Sequence, residues 1–267
     1  MLIAHLIDPH ACRPGNFSNG VVDTNACLRR AVAHVAALTP APDCVLITGD
    51  LVDRGAPEEY AVLRGLLTPL EAPVYLLPGN HDDREALRAA FPDHDYLPRT
   101  GPFLHYALEL GPLRLVALDT VEPDRVEGRL CEARLAWLAE RLSEAPAVPT
   151  LVCMHHPPFE TGLPMDRHML RNGAEVGELI ARHPQVERVL CGHVHRPVQL
   201  RWRGTLGCIA PSTAHQVVLE LTPDARSTFA LEPPGFLLHQ WREGTGLVTH
   251  YGLIGSYPGP YRFQGGG

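Results

Sequence analysis

Residues 43–55 read DCVLITGDLVDRG, and this stretch decides the fold. Cys44–Thr48 is a short, apolar run rich in β-forming residues, which predicts a central strand buried on both faces. Gly49 ends the strand and places Asp50 at its carboxyl end. In an open α/β sheet, that edge is where ligands bind. A single Gly-Asp pair is more typical of a turn, so the functional interpretation of Asp50 depends on the rest of the chain.

Four other predicted strands also end in side chains that can bind a metal ion. Each of these motifs alone has a structural explanation, as a turn aspartate, a helix N-cap or a pair of surface histidines. Because the carboxyl ends of parallel strands meet at one sheet edge, we expect all five strand ends to converge there. The four motifs are Asp8-Pro9-His10 after Leu2–Ile7, Asn80-His81 after Pro73–Leu77, His155-His156 after Thr150–Met154, and His193-Val194-His195 after Val186–Cys191.

Helical patterns alternate with these strands, and this spacing predicts β-α-β units and a parallel sheet. The expected helices are Thr24–Leu38, capped by Asp23, and segments near Glu58–Leu67, Arg84–Phe91, Glu132–Leu142 and Asn172–Arg182. The further strands expected are the hairpin Phe103–Leu110 and Leu113–Asp119, the antiparallel strands Val198–Ile209 and Gln216–Leu221, and a final hairpin of Phe236–Trp241 and Leu247–Leu253. We expect an irregular lid or substrate wall up to Leu170 and an extended tail from Tyr257.

Composition indicates one globular domain, 1–267, with a core in 1–200 and C-terminal strands and tail in 201–267. Of the 267 residues, 45% are hydrophobic and 20% charged, as is ordinary for such a domain. The net charge of −7 argues against a nucleic-acid polymer or an anionic membrane as partner. No apolar run reaches membrane-spanning length. The seven cysteines are an odd number without a C-x-x-C pair, which predicts reduced thiols in a cytoplasmic protein.

The five strand ends together offer a mixed set of seven oxygen and nitrogen ligands. That number is too large for one zinc ion and suits two metal ions. One carboxylate must then bridge the two ions, and Asp50 is the natural choice.

The motifs D-x-H, G-D-L-V-D-R-G, G-N-H-D, H-H-P-P and G-H-x-H occur in this order from Asp8 to His195. They resemble those of the calcineurin-like metallophosphoesterase superfamily. The resemblance implies an α/β fold, a four-layer α/β/β/α sandwich with two mixed sheets. It implies one ion held by Asp8, His10, Asp50 and His195, and a second held by Asp50, Asn80, His155 and His193. The ions would be divalent or trivalent, and the ligand set suits Fe, Mn, Zn or Co.

Several residues receive roles from this resemblance. His155, nearest the strand, is taken as the ligand, and His156 would lie behind it or face the substrate. His81 would stabilise the transition-state oxygens or protonate the leaving alkoxide. His215 would belong to the substrate pocket. Asp53 and Arg54 are expected to be structural, the aspartate orienting its neighbours among the ligands.

Chain length, the HHPP form, residues 211–216 (PSTAHQ) and the C-terminal LLH and YPGPY segments most resemble bacterial glycerophosphodiester phosphodiesterases. The function implied is hydrolysis of small phosphodiesters, above all glycerophosphodiesters. Two metal ions would lower the pKa of a bound water, and hydroxide would attack phosphorus without a Ser or Cys nucleophile.

Other functions remain open at this stage. Class III cyclic nucleotide phosphodiesterases share the core motifs. Only the loops 15–22, 121–130 and 159–170 would distinguish a cyclic AMP phosphodiesterase from a glycerophosphodiester phosphodiesterase. Aliphatic Val21 and Val22 at the expected mouth favour a substrate without a base to stack. Another diester, a phosphonate monoester or a metal-binding scaffold without turnover are further alternatives. A nuclease is disfavoured by the acidic balance.

Relatives of this type form dimers and higher oligomers, so we expect a homo-oligomer. The C-terminal strands and the Pro/Gly-rich tail are the candidate contact surface. Sedimentation as a monomer at micromolar concentration would contradict this expectation.

Overall fold

The computed structural model describes residues 1–222 and 224–263. Its helices are α1 (Thr24–Ala36), α2 (Pro57–Leu67), α3 (Arg84–Ala90), α4 (Glu132–Glu144) and α5 (Gly173–Ile180), with a short 3₁₀ helix at Pro164–His168. Asp23 caps α1 as predicted, its side chain accepting the N–H of Ala26 at 2.9 Å. Among the residues described, no helix is long and apolar enough to cross a membrane.

The strands form two large sheets and a two-stranded ribbon. They are β1 (Leu2–Leu6), β2 (Cys44–Thr48), β3 (Val74–Leu77), β4 (Tyr106–Leu110), β5 (Leu113–Leu118), β6 (Thr150–Met154), β7 (Val186–Cys191), β8 (Val198–Trp202), β9 (Thr205–Ile209), β10 (Gln216–Val217), β11 (Phe229–Ala230), β12 (Gly235–Arg242) and β13 (Gly246–Leu253).

Both large sheets are mixed. The first has the order β13-β12-β1-β2-β3, in which β1, β2 and β3 are parallel and β12 and β13 are antiparallel. The second has the order β4-β5-β6-β7-β9-β8, with parallel strands flanked by antiparallel β4 and β8. Every residue of β1, β2, β5 and β6 is buried, as expected for strands covered on both faces.

Alternation along β5 shows how the layers are stacked. Leu115 and Ala117 belong to the apolar cluster that contains β1, β2 and helices α1 to α3. Val116 and Leu118 point the other way, into a second cluster with α4 and α5. Because successive strand residues face opposite sides of a sheet, one face of the second sheet packs on the first sheet and the other face on helices. The predicted four-layer α/β/β/α sandwich is confirmed.

The region after residue 197 differs from the predicted strands. The stretch expected as one strand, Val198–Ile209, is a hairpin of β8 and β9, because Arg203 and Gly204 adopt left-handed φ values of 52° and 88° and turn the chain. The expected pairing of this stretch with Gln216–Leu221 is wrong. Only Gln216 and Val217 are in a strand, and they pair with β11.

Smaller differences lie at element ends. The strand expected from Phe103 begins at Tyr106, and the final hairpin forms with its turn at Arg242–Gly246 as predicted. The tail expected to be extended from Tyr257 forms no helix or strand as far as Phe263, and residues 264–267 lie outside the described residues.

A buried ion pair ties α3 to the end of β5. Asp119 is fully buried and accepts from Arg84 Nε at 2.6 Å and Nη2 at 2.8 Å. The same carboxylate accepts the backbone N–H groups of Leu104 at 2.9 Å and Val121 at 3.0 Å. This single side chain therefore fixes three loops beside the carboxyl ends of the strands.

We expect Asp119→Ala to lower the free energy of unfolding by about 3–5 kcal/mol, because it leaves a largely buried guanidinium without its partner. Asp93→Ala is the matched control, since Asp93 also binds an arginine, Arg64, through two oxygens but does so on the surface. Urea unfolding should show little change for this control. Equal losses for the two variants would show that burial of the Asp119 pair is not what stabilises the loops.

Candidate metal centre

The candidate ligands come from both sheets. Asp8, Asp50 and Asn80 follow β1, β2 and β3 of the first sheet, whereas His155 and His193 follow β6 and β7 of the second. The prediction of one shared sheet edge is therefore wrong. The strand ends nevertheless converge, because the two sheets present their loops at the same end of the sandwich. The backbone N–H of His193 donates to both oxygens of Asp8, at 3.2 and 3.0 Å.

The first group of ligand atoms comes from Asp8, His10, Asp50 and His195. One ligand atom from each lies within 4.8 Å of the others, and all four residues are buried. His10 Nε2 is 3.2 Å from His195 Nε2 and 3.7 Å from Asp50 Oδ2. His195 Nε2 is 3.8 Å from Asp8 Oδ1. These separations are close to the edge of a coordination polyhedron whose metal–ligand bonds are about 2.1 Å.

The second group is centred on His155. Its Nε2 lies 3.1 Å from Asn80 Oδ1, 3.2 Å from His193 Nδ1 and 3.3 Å from Asp50 Oδ1. The two carboxylate oxygens of Asp50 thus face different groups, Oδ1 toward His155 and Oδ2 toward His10. A carboxylate divided in this way can bridge two ions, which supports the role expected for Asp50.

Hydrogen bonds fix which ring nitrogen of two histidines is available as a ligand. His155 Nδ1–H donates to the carbonyl oxygen of Thr48 at 3.0 Å, and His195 Nδ1–H donates to that of His215 at 3.3 Å. The Nε2 lone pair of each ring is therefore directed into the cluster. Asp53 Oδ1 lies 3.9 Å from His10 Nδ1, beyond hydrogen-bond distance, so it acts on that ring through its charge.

His156 is placed differently from its neighbour. Its Nε2–H donates to the carbonyl oxygen of Val126 at 2.9 Å, and its Nδ1 accepts from Thr120 Oγ1 at 2.7 Å. The ring is fully buried, packs against His193 and does not line the adjoining cavity. Both nitrogens therefore have partners, which supports His155 as the ligand and a position for His156 behind it.

Backbone conformation is unusual at the ligands. Asp8, His10, Asp50, His193 and His195 all have positive φ, between 43° and 70°. For residues other than glycine this conformation is uncommon and costs on the order of 1 kcal/mol or more. Five ligands in this conformation indicate that side-chain placement overrides backbone preference here.

Burial controls the charges of the cluster. It lowers the pKa of both His10 and His193 to about 3 and raises the pKa of Asp8 well above its ordinary value. Burial alone would also lower the pKa of His155, but the charges of Asp50 and Asp8 and the hydrogen bonds to Asp50 and Thr48 together outweigh it and raise that pKa to about 9. A metal ion at this position competes with a proton for His155 Nε2, so affinity for the metal rises as the pH approaches that pKa.

Three glycines allow the ligands to approach one another. A Cβ on Gly79 would lie 2.2 Å from Asp50 Oδ1, and one on Gly49 would lie 2.2 Å from His155 Nδ1. A Cβ on Gly192 would lie 2.5 Å from the carbonyl oxygen of Thr48. No side chain fits at any of these strand ends without displacing a ligand or its support.

His81 stands at the open side of the cluster. Its backbone N–H donates to Asp50 Oδ1 at 3.0 Å, and its Nδ1–H donates to the carbonyl oxygen of Asp53 at 2.7 Å. Nε2 is left free, 4.0 Å from Asp50 Oδ2, and the side chain is 41% exposed. The negative charge of Asp50 raises the pKa of His81 above its ordinary value.

A cavity of about 540 Å³ adjoins the cluster. His215 lines it as expected, buried, with no hydrogen-bond partner for Nδ1 in the described part of the chain and a pKa that burial lowers to about 4. Ser18, Asn19 and Met165 line it from the loops 15–22 and 159–170 that the sequence indicated, whereas Val217, Ser227, Thr228 and Phe229 are wall residues that the sequence did not indicate. Phe229 reaches the cavity from the two-residue strand β11, which is too short to show a periodic signal.

Asp82 is a further residue that the sequence pattern did not single out for this role. Its side chain accepts the N–H groups of Leu51 at 3.0 Å and Gly79 at 2.8 Å, and the hydroxyl of Tyr60 at 2.9 Å. It therefore joins the loop that carries Asp50 to the loop that carries Asn80. Its neighbour Asp83 caps α3.

Comparison with known proteins agrees with this geometry. A family model described as calcineurin-like phosphoesterase matches residues 1–197, a range that includes all seven candidate ligands. The chain belongs to the calcineurin-like phosphoesterase family. The resemblance predicted from the motifs is thereby confirmed.

Two relatives in this family illustrate its range. A probable glycerophosphodiester phosphodiesterase GpdQ from Arcobacter nitrofigilis is 36% identical over 265 residues, covering 98% of this chain and 97% of the relative. A probable cyclic nucleotide phosphodiesterase RPA0124 from Rhodopseudomonas palustris is 38% identical over 251 residues, covering 92% and 89%. A solved structure, a dimetal phosphatase from Danio rerio, matches the fold with a TM-score of 0.66 at 14% identity, covering 96% and 99%.

We expect Gly79→Ala to lower the metal content of the protein, because the new Cβ would displace the Asp50 carboxylate. Gly65→Ala is the matched control, since a Cβ there meets nothing within 4 Å on the exposed face of α2. Gly65→Ala should leave the metal content unchanged and raise the free energy of unfolding by about 0.5–1 kcal/mol, because alanine is favoured over glycine inside a helix. Elemental analysis after dialysis against manganese measures the effect. Wild-type metal content in Gly79→Ala would show that Asp50 is not held by this contact.

Proposed function

We propose that the chain is a metal-dependent phosphodiesterase that hydrolyses small glycerophosphodiesters. The observation that carries the proposal is the divided carboxylate of Asp50, which joins two groups of ligands beside a cavity large enough for a small diester. The full-length similarity to the relative named GpdQ supports the substrate class.

The residues present fit two metal ions. Asn80 Oδ1 and Asp50 Oδ1 converge on His155 Nε2, at 3.1 and 3.3 Å, as the donor atoms around one metal ion do. One ion would be held by Asp8, His10, Asp50 and His195, and the other by Asp50, Asn80, His155 and His193. When bound, such ions lower the pKa of water and polarise the phosphoryl oxygens. We propose Fe, Mn, Zn or Co, which the mixed donor set suits.

His81 is proposed to supply the proton for the leaving group. Because Nδ1–H is committed to Asp53, the second proton of the imidazolium is on Nε2, which faces the open side of the cluster. The charge of Asp50 favours that protonated form. As the ester bond breaks, the leaving alkoxide would take this proton from Nε2 and depart as a neutral alcohol.

The cavity wall suits a glycerol group. Ser227 and Thr228 offer hydroxyl groups and His215 an imidazole ring, so a polyol can form hydrogen bonds on this side. Met165 and Phe229 provide apolar surface for its carbon atoms. Small pockets that combine apolar walls with a few polar groups are typical of ligand sites.

One observation favours a second candidate, a cyclic nucleotide phosphodiesterase. Aliphatic Val21 and Val22, which favoured a substrate without a base, do not line the cavity, whereas the aromatic ring of Phe229 does, 4.8 Å from the ring of His215. An aromatic face in the wall can stack on a nucleobase. The similarity to the Rhodopseudomonas palustris relative supports the same candidate.

Exposed apolar side chains in the C-terminal part support our proposal of a homo-oligomer. Leu219, Leu221 and Leu231 are each more than 60% exposed, and contact with a second copy of the chain would bury this apolar surface. We also propose a cytoplasmic location, which the scattered, unpaired cysteines support.

We expect the manganese-loaded protein to hydrolyse glycerophosphoethanolamine with a higher kcat/KM than cyclic AMP. The reason is the group of polar side chains in the wall, the imidazole of His215 and the hydroxyls of Ser227 and Thr228. Release of ethanolamine and of AMP, followed in parallel, measures the preference. A preference for cyclic AMP would establish the second candidate, and no turnover of either would contradict both.

We expect His81→Ala to lower kcat by about 100- to 10,000-fold while metal content stays at the wild-type level, because His81 moves a proton and binds no metal. His250→Ala is the control, an exposed histidine on β13 outside the cavity. Turnover with glycerophosphoethanolamine and elemental analysis measure both effects. Unchanged turnover in His81→Ala would remove this residue from the mechanism.

A further inference from the structure

A second cavity opens on the other side of His81. Its volume is about 720 Å³, and it shares Arg54, Asn80, His81 and Val126 with the first cavity. The rest of its wall comes from Gly55, from residues 82–85, from Pro102 and from the loop 121–125. The metal centre is therefore reached from two spaces that meet at His81.

Most of the acidic groups in the wall of the second cavity already have partners. Asp82 accepts hydrogen bonds from Leu51, Gly79 and Tyr60, and Asp83 caps α3. Glu85 pairs with Arg88, and Glu122 lies 3.6 Å from Arg171. Asp124, in the exposed turn, is the remaining carboxylate of this wall. Arg84 is likewise committed to Asp119.

Two guanidinium groups of this wall remain available. The side chain of Arg54 is 83% exposed, and its ion contact is a 3.6 Å approach to Asp53. Its backbone, in contrast, is anchored, because its N–H donates to the buried carboxylate of Glu59 at 2.9 Å. The exposed side chain of Arg125 forms no hydrogen bond or ion pair with the residues that the structure describes.

We propose that the second cavity receives the leaving alcohol of the diester and that Arg54, aided by Arg125, selects alcohols that carry an additional carboxylate or phosphate. This inference rests on the proposed phosphodiesterase function. Because His81 borders both cavities, an alkoxide that takes its proton can have its substituent in the second one. Arg54 then lies beside that substituent, with its backbone held by a hydrogen bond and its guanidinium group exposed. This differs from the structural role that the sequence suggested for Arg54.

The reaction is balanced without any further reactant. Oxygen from water forms a bond to phosphorus as the bond from phosphorus to the leaving oxygen breaks. His81 Nε2 gives its proton to that oxygen, and the proton released from water restores the imidazolium. The products are glycerol phosphate in the first cavity and the anionic alcohol in the second.

Two substrates that differ by one carboxylate test the proposal, glycerophosphoserine and glycerophosphoethanolamine. We expect the wild-type protein to have a higher kcat/KM for the serine ester. Arg54→Gln should lower the ratio of the two kcat/KM values by about fivefold, the order expected for a charge-assisted contact weakened by solvent. Arg54→Gln should raise KM for the serine ester and leave kcat unchanged, because the carboxylate is bound equally in the ground state and the transition state. The wild-type ratio should also decrease as salt is raised.

Arg201→Gln is the matched control, because Arg201 is exposed on β8 and lines neither cavity. A ratio unaffected by Arg54→Gln, with the ethanolamine ester still hydrolysed, would overturn this inference and leave the proposed function intact. An equal loss for both esters would also overturn it, since Arg54 would then act on the shared phosphate. Failure to hydrolyse either ester would overturn the proposed function and this inference with it.

Discussion

The divided carboxylate of Asp50 is the interaction on which the site depends. One buried side chain directs Oδ1 to His155 and Oδ2 to His10, so neither ligand group is complete without it. Holding it there requires a left-handed φ of 46° at Asp50 and direct contact with the backbone of Gly79. Such a conformation persists only where the surrounding structure enforces it, and here the fully buried strand β2 and its neighbour β3 do so.

The candidate metal centre also connects the two sheets through hydrogen bonds. His193 of the second sheet donates its backbone N–H to Asp8 of the first, and His155 donates its ring N–H to Thr48. A metal ion that binds only the folded arrangement would stabilise that arrangement by linkage. Packing of the sandwich and binding of the metal are therefore expected to support one another, and damage to either should weaken the other.

The strand ends could be predicted from the sequence, whereas their assignment to sheets could not. Cys44–Thr48 and Thr150–Met154 are both apolar on both faces, so the local pattern shows burial and gives no information on which sheet each strand joins. The predicted strand pairing after residue 197 was wrong for a related reason, because strand partners distant in sequence leave no local signal. The candidate ligands could be predicted because each follows a strand closely, a relation that is local. Phe229 and Asp82 were missed because their roles depend on long-range contacts.

The two cavities differ in chemical character, and this difference bears on the reaction. Apart from Asp53, Arg54 and the candidate ligands, the first is lined by neutral polar and apolar groups such as His215, Ser227 and Phe229, while charged side chains dominate the second. A phosphomonoester has one organic group and needs one such space, whereas a diester places two organic groups on the same phosphorus. His81 lies where the two spaces meet, so a diester bound there would hold one alcohol on each side of the group that we propose protonates the leaving oxygen. Selectivity among diesters would then reside in the loops that carry Arg54 and Arg125, and the ligands could stay constant while the substrate changes.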